Sequence, residues 1–598
     1  MSLAEIVKCA IHPAIGVARV GNSPDEYFIG AELPGQIPQP DGGFKDGAGR
    51  IKRQAARFRL YGLGRDGQIV TELTAADAEI VWTVHLANKK GAWYCFQTAL
   101  DIPGAQPTGR RNPDYSGDRN DLVIDPGPRS VTGPGAREEC DTGKFMGQAV
   151  PLGELRTDAE GRLLVLGGFG QSGSVGNQPI TGFDNSGWYD DTSDGPVTAE
   201  VRLGGRSLEV VPAWVIVAPP DYSPGIQSLV TMYDLVYEVA TRQGLTPPAE
   251  VSFIAHVYPL LERFCRLQWV NEGHYLDYGW GAPESFLAPE NLDRLASAAP
   301  EHRAYRESLF ARFRSPDYLQ AQPDALPHVY GDGISWPVDE TNPRNWLTVT
   351  ALQYEWLGRW ARGDFQADLS TGRAAPQRLE EVPVGGRPAA LDQAALENCC
   401  GGAFHPGAEA SWPMRRAMLY SGPFRIKPLP AGAPERDYGD QLTPTAALAA
   451  GGPLDGSGPG DLTRWMSVPW QVDTASCGAG YQPEINVYLP TFWPARVPNQ
   501  VLAEKHFRLA LDAKLSVVQR LKYFGLRQDW LRDLTILLNY LDRVNQFITD
   551  WSKVGIVVRH ENPTPDALIP AEVFIEVGNE LEASPDDRFT QVNPWRHR

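Results

Sequence analysis

The stretch Leu208-Glu209-Val210-Val211-Pro212-Ala213-Trp214-Val215-Ile216-Val217-Ala218-Pro219-Pro220 holds two short β-type runs, Leu208–Val211 and Trp214–Ala218, set off by prolines. Val165–Gly168 is a third run of the same kind. Short apolar runs closed by Gly or Pro read as strands. They predict a β-rich part over residues 1 to about 245. Between the runs lie polar, Gly/Asp-rich stretches such as Arg111–Asp125, which read as loops. The 598 residues include 60 Gly and 51 Pro, well above the usual combined share of roughly 12%. With 17 Trp in addition, this composition suits short strands and long ordered loops better than a helical bundle.

From Thr246 onward the pattern changes. Val251–Phe264, His302–Phe313 and Asn345–Arg362 read as helices, while 365–395 and 428–460 are rich in Pro, Gly and Ala and read as connectors. Near the end, Leu534, Leu537, Leu541, Val544, Ile548 and Trp551 recur at steps of three and four, one apolar helical stripe that extends back to Trp530. Gly555 stops it, and Ile556–Val558 follows as a β-type run. The predicted fold is α+β: a β-rich N-terminal domain, 1–245, packed on a helical and loop-rich C-terminal domain, 246–598.

A net charge of −18 argues against nucleic-acid binding, which needs a basic footprint on phosphates, and against a polybasic membrane-surface protein. No apolar run approaches the ~18 residues of a membrane span. No Sec-type signal opens the chain, and seven Cys at irregular spacing make no disulfide framework. Cytoplasmic synthesis is the expectation.

Several short motifs dissolve on inspection. Gly168-Phe169-Gly170-Gln171-Ser172-Gly173 fits the dinucleotide fingerprint, but the residues after it do not start the helix that must hold the pyrophosphate. It reads as a glycine-rich loop. The His and Cys residues show no metal-ligand spacing, so no metal site is expected. The adjacent Cys399-Cys400 reads as small buried hydrophobes. Trp188-Tyr189-Asp190-Asp191-Thr192-Ser193-Asp194-Gly195 reads as an Asp-rich turn bonding its own backbone, in preference to a cation site.

The densest unusual segment is Arg464-Trp465-Met466-Ser467-Val468-Pro469-Trp470-Gln471-Val472-Asp473-Thr474-Ala475-Ser476-Cys477-Gly478, with Asp four residues before Cys, followed by Thr491–Gln500. Together with Ile11-His12-Pro13-Ala14-Ile15-Gly16-Val17-Ala18-Arg19-Val20-Gly21-Asn22-Ser23, Trp188–Val197, Ala218–Ile226 and Cys400-Gly401-Gly402-Ala403-Phe404-His405-Pro406-Gly407, it resembles the L-lysine ε-oxidase and glycine oxidase family, bacterial quinoproteins that carry cysteine tryptophylquinone.

That resemblance implies a quinone built from Cys477 and a tryptophan, with Asp473 as the carboxylate for cross-linking. Trp530, in Arg527-Gln528-Asp529-Trp530-Leu531-Arg532, is the partner chosen, because charged neighbours offer a proton acceptor; Trp551, in Asp550-Trp551-Ser552-Lys553-Val554-Gly555, is the alternative. On one continuous helix the two would lie roughly 30 Å apart. The implied activity is oxidation of a primary amine or amino acid through a Schiff base, with dioxygen reoxidising the cofactor to give hydrogen peroxide and ammonia. Asp473 or Asp529 would be the base, the latter otherwise a helix-surface carboxylate beside Arg532. His506 is a weaker candidate to hydrogen-bond an intermediate. A maturing flavoprotein and a homo-oligomer are implied, and non-classical export is compatible. The other readings are an unmatured, non-catalytic binding member and a quinone-bearing amine dehydrogenase.

Overall fold

A computed structural model describes the chain except residues 1–2, 321, 334–343, 370–375, 403–406, 408, 431–432, 434, 480–490, 533–539, 564–567 and 582–598. Leu534 and Leu537 of the apolar stripe, and Ala403–Pro406 of one family block, lie outside the described residues. The first third forms a thirteen-stranded mixed sheet. Its strands are β1 Lys8–His12, β2 Ile15–Arg19, β3 Tyr27–Ile29, β4 Arg53–Leu63, β5 Ile69–Leu73, β6 Glu79–Val84, β7 Arg129–Thr132, β8 Arg137–Glu139, β9 Gly153–Thr157, β10 Leu163–Gly167, β11 Ser193–Leu203, β12 Arg206–Val211 and β13 Ala213–Ala218. The main order is β1-β12-β11-β13-β2-β4-β10-β9-β8, with β3 and β5 on β4, β6 on β11 and β7 on β6. β1 and β12, β2 and β13, and β3 and β4 pair in parallel; the other pairs are antiparallel.

All six residues of β13 are buried, and this explains its unbroken apolar run: a strand covered on both faces has no reason to alternate. Val215 and Val217 join the main core with Phe58 and Val165, whereas Trp214 and Ile216 face a second cluster with Ile15, Val17, Met232 and Val236. The sequence-predicted strands thus form, each within two residues of its expected start.

Nine helices carry the rest of the account: α1 Met232–Arg242, α2 Tyr258–Arg266, α3 Arg303–Phe310, α4 Ala351–Arg362, α5 Arg387–Glu397, α6 Trp470–Ala479, α7 Glu504–Leu511, α8 Val517–Gly525 and α9 Tyr540–Asp550. α1, α4 and α8 each begin with a reciprocal capping box, at Thr231, Thr350 and Ser516. Two expectations need correction. α5 begins inside the supposed connector 365–395 and runs two residues past it; its Ala-rich sequence has little amphipathic contrast because Pro388, Leu391, Ala394 and Leu396 are buried around it. Trp530 is not on the terminal helix either. It sits in a turn after the short strand Gln528–Asp529, which pairs with Gln500–Val501, and α9 is described over Tyr540–Asp550.

Among the described residues no helix is long and apolar enough to cross a membrane. All seven cysteines are free thiols. Phe58 is fully buried, and its ring occupies the space a side chain at Gly16 would need. Phe58→Ala is therefore expected to cost about 3–5 kcal/mol, measured as a lowered unfolding midpoint.

Candidate active site

Asp473 and Cys477 occupy successive turns of α6, both buried, with the thiol against Asp473 Oδ2 at 3.8 Å. Burial, Asp473 and the neighbouring Cys400 push the Cys477 thiol well above its ordinary value. Such a thiol keeps its proton near neutrality unless a base takes it.

What holds α6 in place is the acidic stretch after Trp188. Asp190 Oδ2 accepts from the Trp470 backbone N–H at 2.9 Å, at the first residue of α6, and from Lys90 Nζ at 2.7 Å. Asp190 Oδ1 accepts from Thr192 Oγ1 at 2.7 Å and Asn88 Nδ2 at 3.0 Å. Lys90 Nζ also donates to Ser467 O at 2.8 Å. A carboxylate here both satisfies an orphan helix N–H and meets the positive end of the helix dipole. Asp194 gathers the backbone N–H groups of Leu462 and Thr463, the Thr463 hydroxyl and the Trp214 indole N–H. Arg111 donates to the carbonyls of Arg464 and Met466, and Asn185 to that of Val468.

The expectation of a turn bonding mainly its own backbone is thus corrected. Asp190, Asp191 and Asp194 have no exposed surface; Asp190 and Asp194 clamp the segment leading into α6, while Asp191 accepts from the Gln171 N–H of the glycine-rich loop. Among the described residues no group of metal-ligating side chains is assembled. The glycine-rich loop is a loop, closed by the strand Ser172–Ser174. Gly170, at φ +72°, gives up its side-chain space to the Trp551 ring.

A second buried network joins the other family blocks. Arg19 donates to Glu409 at 2.7 Å, to Pro219 O at 2.9 Å and to Cys399 Sγ at 3.5 Å. Arg496 pairs with Asp221 at 2.6 Å. Cys399 and Cys400 are buried beside it; burial and Glu409 push the Cys399 thiol up to about 12.

The two candidate tryptophans are not at opposite ends of one helix. The Tyr222 ring lies 4.7 Å from that of Trp530, and its hydroxyl donates to Trp551 O at 3.0 Å. Trp530 is buried, packs on Phe547 of α9 and donates Nε1–H to Gly555 O at 2.8 Å. Trp551 lies 5.4 Å, ring to ring, from Trp470. Sequence reading quoted Tyr222 without assigning it a part; its position between two tryptophans distant in sequence leaves no local signal. Lys90 carried none either, being one of two adjacent lysines before a glycine.

Asp529 is exposed on its short strand, side by side with Gln500 Nε2 at 3.4 Å, while Arg532 turns to Glu576 at 2.6 Å. It is a strand residue, not a helix-surface one, with Arg532 beside it donating to its carbonyl at 3.2 Å. His506 is on a helix, α7, but buried, its ring stacked over Tyr523. Burial, with Lys505 and Arg532 nearby, lowers its pKa to about 4. The structure brings Asp473 to Cys477, and Asp529 and His506 to other neighbours.

Residues 12–217 match the family profile described as L-Lysine epsilon oxidase N-terminal, and residues 332–493 the L-lysine epsilon oxidase C-terminal domain. The chain belongs to the L-lysine ε-oxidase family. A relative from Marinomonas mediterranea, L-lysine 6-oxidase, is 30% identical over 554 residues, 78% of this chain and 71% of that protein. The crystal structure of the Schiff base intermediate of that organism's L-Lys ε-oxidase with L-Lys superposes with a TM-score of 0.72 at 25% identity, covering 96% of this chain and 95% of the other. A second structure of L-Lys ε-oxidase from the same organism shares the fold, with a TM-score of 0.70, 24% identity and the same coverage. The mixed fold and the family resemblance are thereby established, with amine oxidation as the family's chemistry.

Two outcomes follow from the anchor. Lys90→Met leaves Asp190 a buried, uncompensated charge and is expected to destabilise by about 3–5 kcal/mol, whereas Lys90→Met with Asp190→Leu recovers much of that loss in the same unfolding measurement. Burial, against the Gln171 N–H bond, raises Asp191 to about 8. A raised acid favours the fold fully below its unfolded pKa and loses that advantage as pH climbs through the folded value. The wild-type melting temperature should therefore fall more steeply than that of Asp191→Asn between pH 5 and about 8, as scanning calorimetry would read.

Proposed function

We propose that the chain is a quinoprotein oxidase that deaminates a primary amine of an amino acid, the ε-amine of L-lysine first, with a cofactor made from its own Cys477 and Trp530. The carrying observation is the Asp473–Cys477 pair, a carboxylate and a thiol on successive turns of a buried, anchored helix. The residues fit the group: a protonated thiol with a base in reach is what thioether formation on an indole requires. Two facts favour Trp530 over Trp551. Its ring plane is set by Tyr222 and Gly555, and Trp551 meets α6 at Trp470, seven residues or about 10 Å along the axis from Cys477.

When formed, a tryptophylquinone supplies an electrophilic carbonyl for the amine and a sink for two electrons. The rest falls to the chain. Asp473 takes the thiol proton during maturation and the proton from the carbon bearing the amine during turnover. Burial keeps water from competing for either proton. The balanced reaction is R–CH2–NH3⁺ + O2 + H2O → R–CHO + NH4⁺ + H2O2, with dioxygen as the electron acceptor. A flavoprotein that installs the two ring oxygens completes the proposal, and a homo-oligomer is its expected state.

Peptide mapping of protein made with and without that flavoprotein tests the reading. Gain of two oxygens and loss of four hydrogens puts the linked Cys477 and Trp530 peptides about 28 Da above their sum. Cys477→Ser should abolish both link and peroxide, and Asp473→Asn should lower peroxide release by roughly 10²–10⁴. A link to the Trp551 peptide moves the cofactor and keeps the function. Unmodified peptides under both conditions overturn the oxidase, and turnover with a dye but without oxygen uptake makes it a dehydrogenase.

A further inference from the structure

A cavity of about 410 Å³ opens between α1, α4, α5 and the turn Phe253–Val257. Its wall is a run of aromatic rings. Tyr233 and Tyr237, one turn apart on α1, lie 5.5 Å apart, Tyr237 lies 6.3 Å from Trp356 of α4, and His256 stacks on Trp356 at 4.3 Å. All four rings are partly exposed. Such a wall offers negative π-faces to a cation.

The charges around it are unevenly balanced. Asp234 is met by Arg263 at 2.7 Å and Glu262 by Arg266 at 3.2 Å. Glu397, buried and lining the cavity, receives only the Gly35 N–H and the Gln393 amide; among the described residues no cation lies within ion-pair distance. It is also the last residue of α5, whose final turn holds no basic side chain. A carboxylate there adds to the negative end of the helix dipole, where a cation is favoured. Burial accordingly raises Glu397 above its usual range. Loop, cavity, rings and carboxylate converge on one missing partner of positive charge, and no residue of the Asp473–Cys477 pair lines this space.

We propose that this cavity binds an organic ammonium ion, its alkyl groups against Tyr233, Tyr237 and Trp356 and its charge toward Glu397. His256 Nδ1 accepts from the Ser252 N–H, and burial lowers its pKa, so it stays neutral and does not repel the ligand. Tyr233 and Tyr237 are raised and keep their protons, and Arg263 remains tied to Asp234. Glu397 is thus the group whose ionisation binding promotes, and affinity strengthens as pH rises through its titration.

Calorimetry with choline, which has no primary amine to oxidise, tests this on the purified protein, matured or not. Saturable binding is expected, about tenfold weaker in Glu397→Gln and in Trp356→Leu, with the pH dependence lost in Glu397→Gln. The neutral carbon analogue, 3,3-dimethylbutan-1-ol, needs no variant and should give no saturable heat. Equal binding of that alcohol, choline affinity unchanged in both variants, or no choline binding at tens of millimolar would overturn the proposal. None of these readouts depends on the quinone.

Discussion

The Lys90–Asp190 pair sits with no exposed surface between the first sheet and the helix that carries Asp473 and Cys477. Neither partner is there for its own stability, since a buried ion pair gains little over apolar packing. Its worth lies in direction. Asp190 has one oxygen on the ammonium and on the first N–H of α6, the other on Thr192 and Asn88, and Lys90 reaches on to Ser467 O. Both carboxylate oxygens of Asp190 are engaged, so the start of α6 is held against this pair. Asp194, Arg111 and Asn185 extend the same restraint over residues 462–468.

The family blocks acquire physical meaning in this light. Arg19 from the first block, Asp221 from the third and Cys400, which opens the fourth, with its neighbour Cys399, meet in one buried charged network. Asp190 and Asp194 from the second grip the approach to Cys477. What reads along the chain as separate phrases is, in space, one clamp on the start of α6 and one buried charged network. The Asp473–Cys477 pair is two residues, and the groups that orient its helix reach back as far as Lys90.

Much of the fold was legible because burial leaves a pattern. Trp214–Ala218 is apolar throughout and lies buried on both faces. The Asp473–Cys477 pair was legible only through the family resemblance; the helix that carries it was not read, because Trp470–Cys477 is buried on every side and shows no apolar stripe. α5 was not, since Ala and Pro lend it no contrast between faces. Trp530 was misplaced because it stands at helical spacing from Leu534 and Leu537 in the sequence, while the strand pairing beside it, Gln528 on Val501, joins it to a distant part of the chain. The acidic stretch was underestimated for a similar reason: Asp190 looks like a turn residue until a lysine a hundred positions earlier and a helix 280 positions later are seen to share it.

Those separations order events in time. The bonds that fix the entry to α6 span 280 residues from Asp190 and 377 from Lys90, and contacts of such high contact order form late. The surroundings of residue 477 are thus assembled from the opening third of the chain and its last quarter together. The modification proposed for Cys477 would then meet a folded surface, assembled from both ends of the chain, and not a nascent peptide.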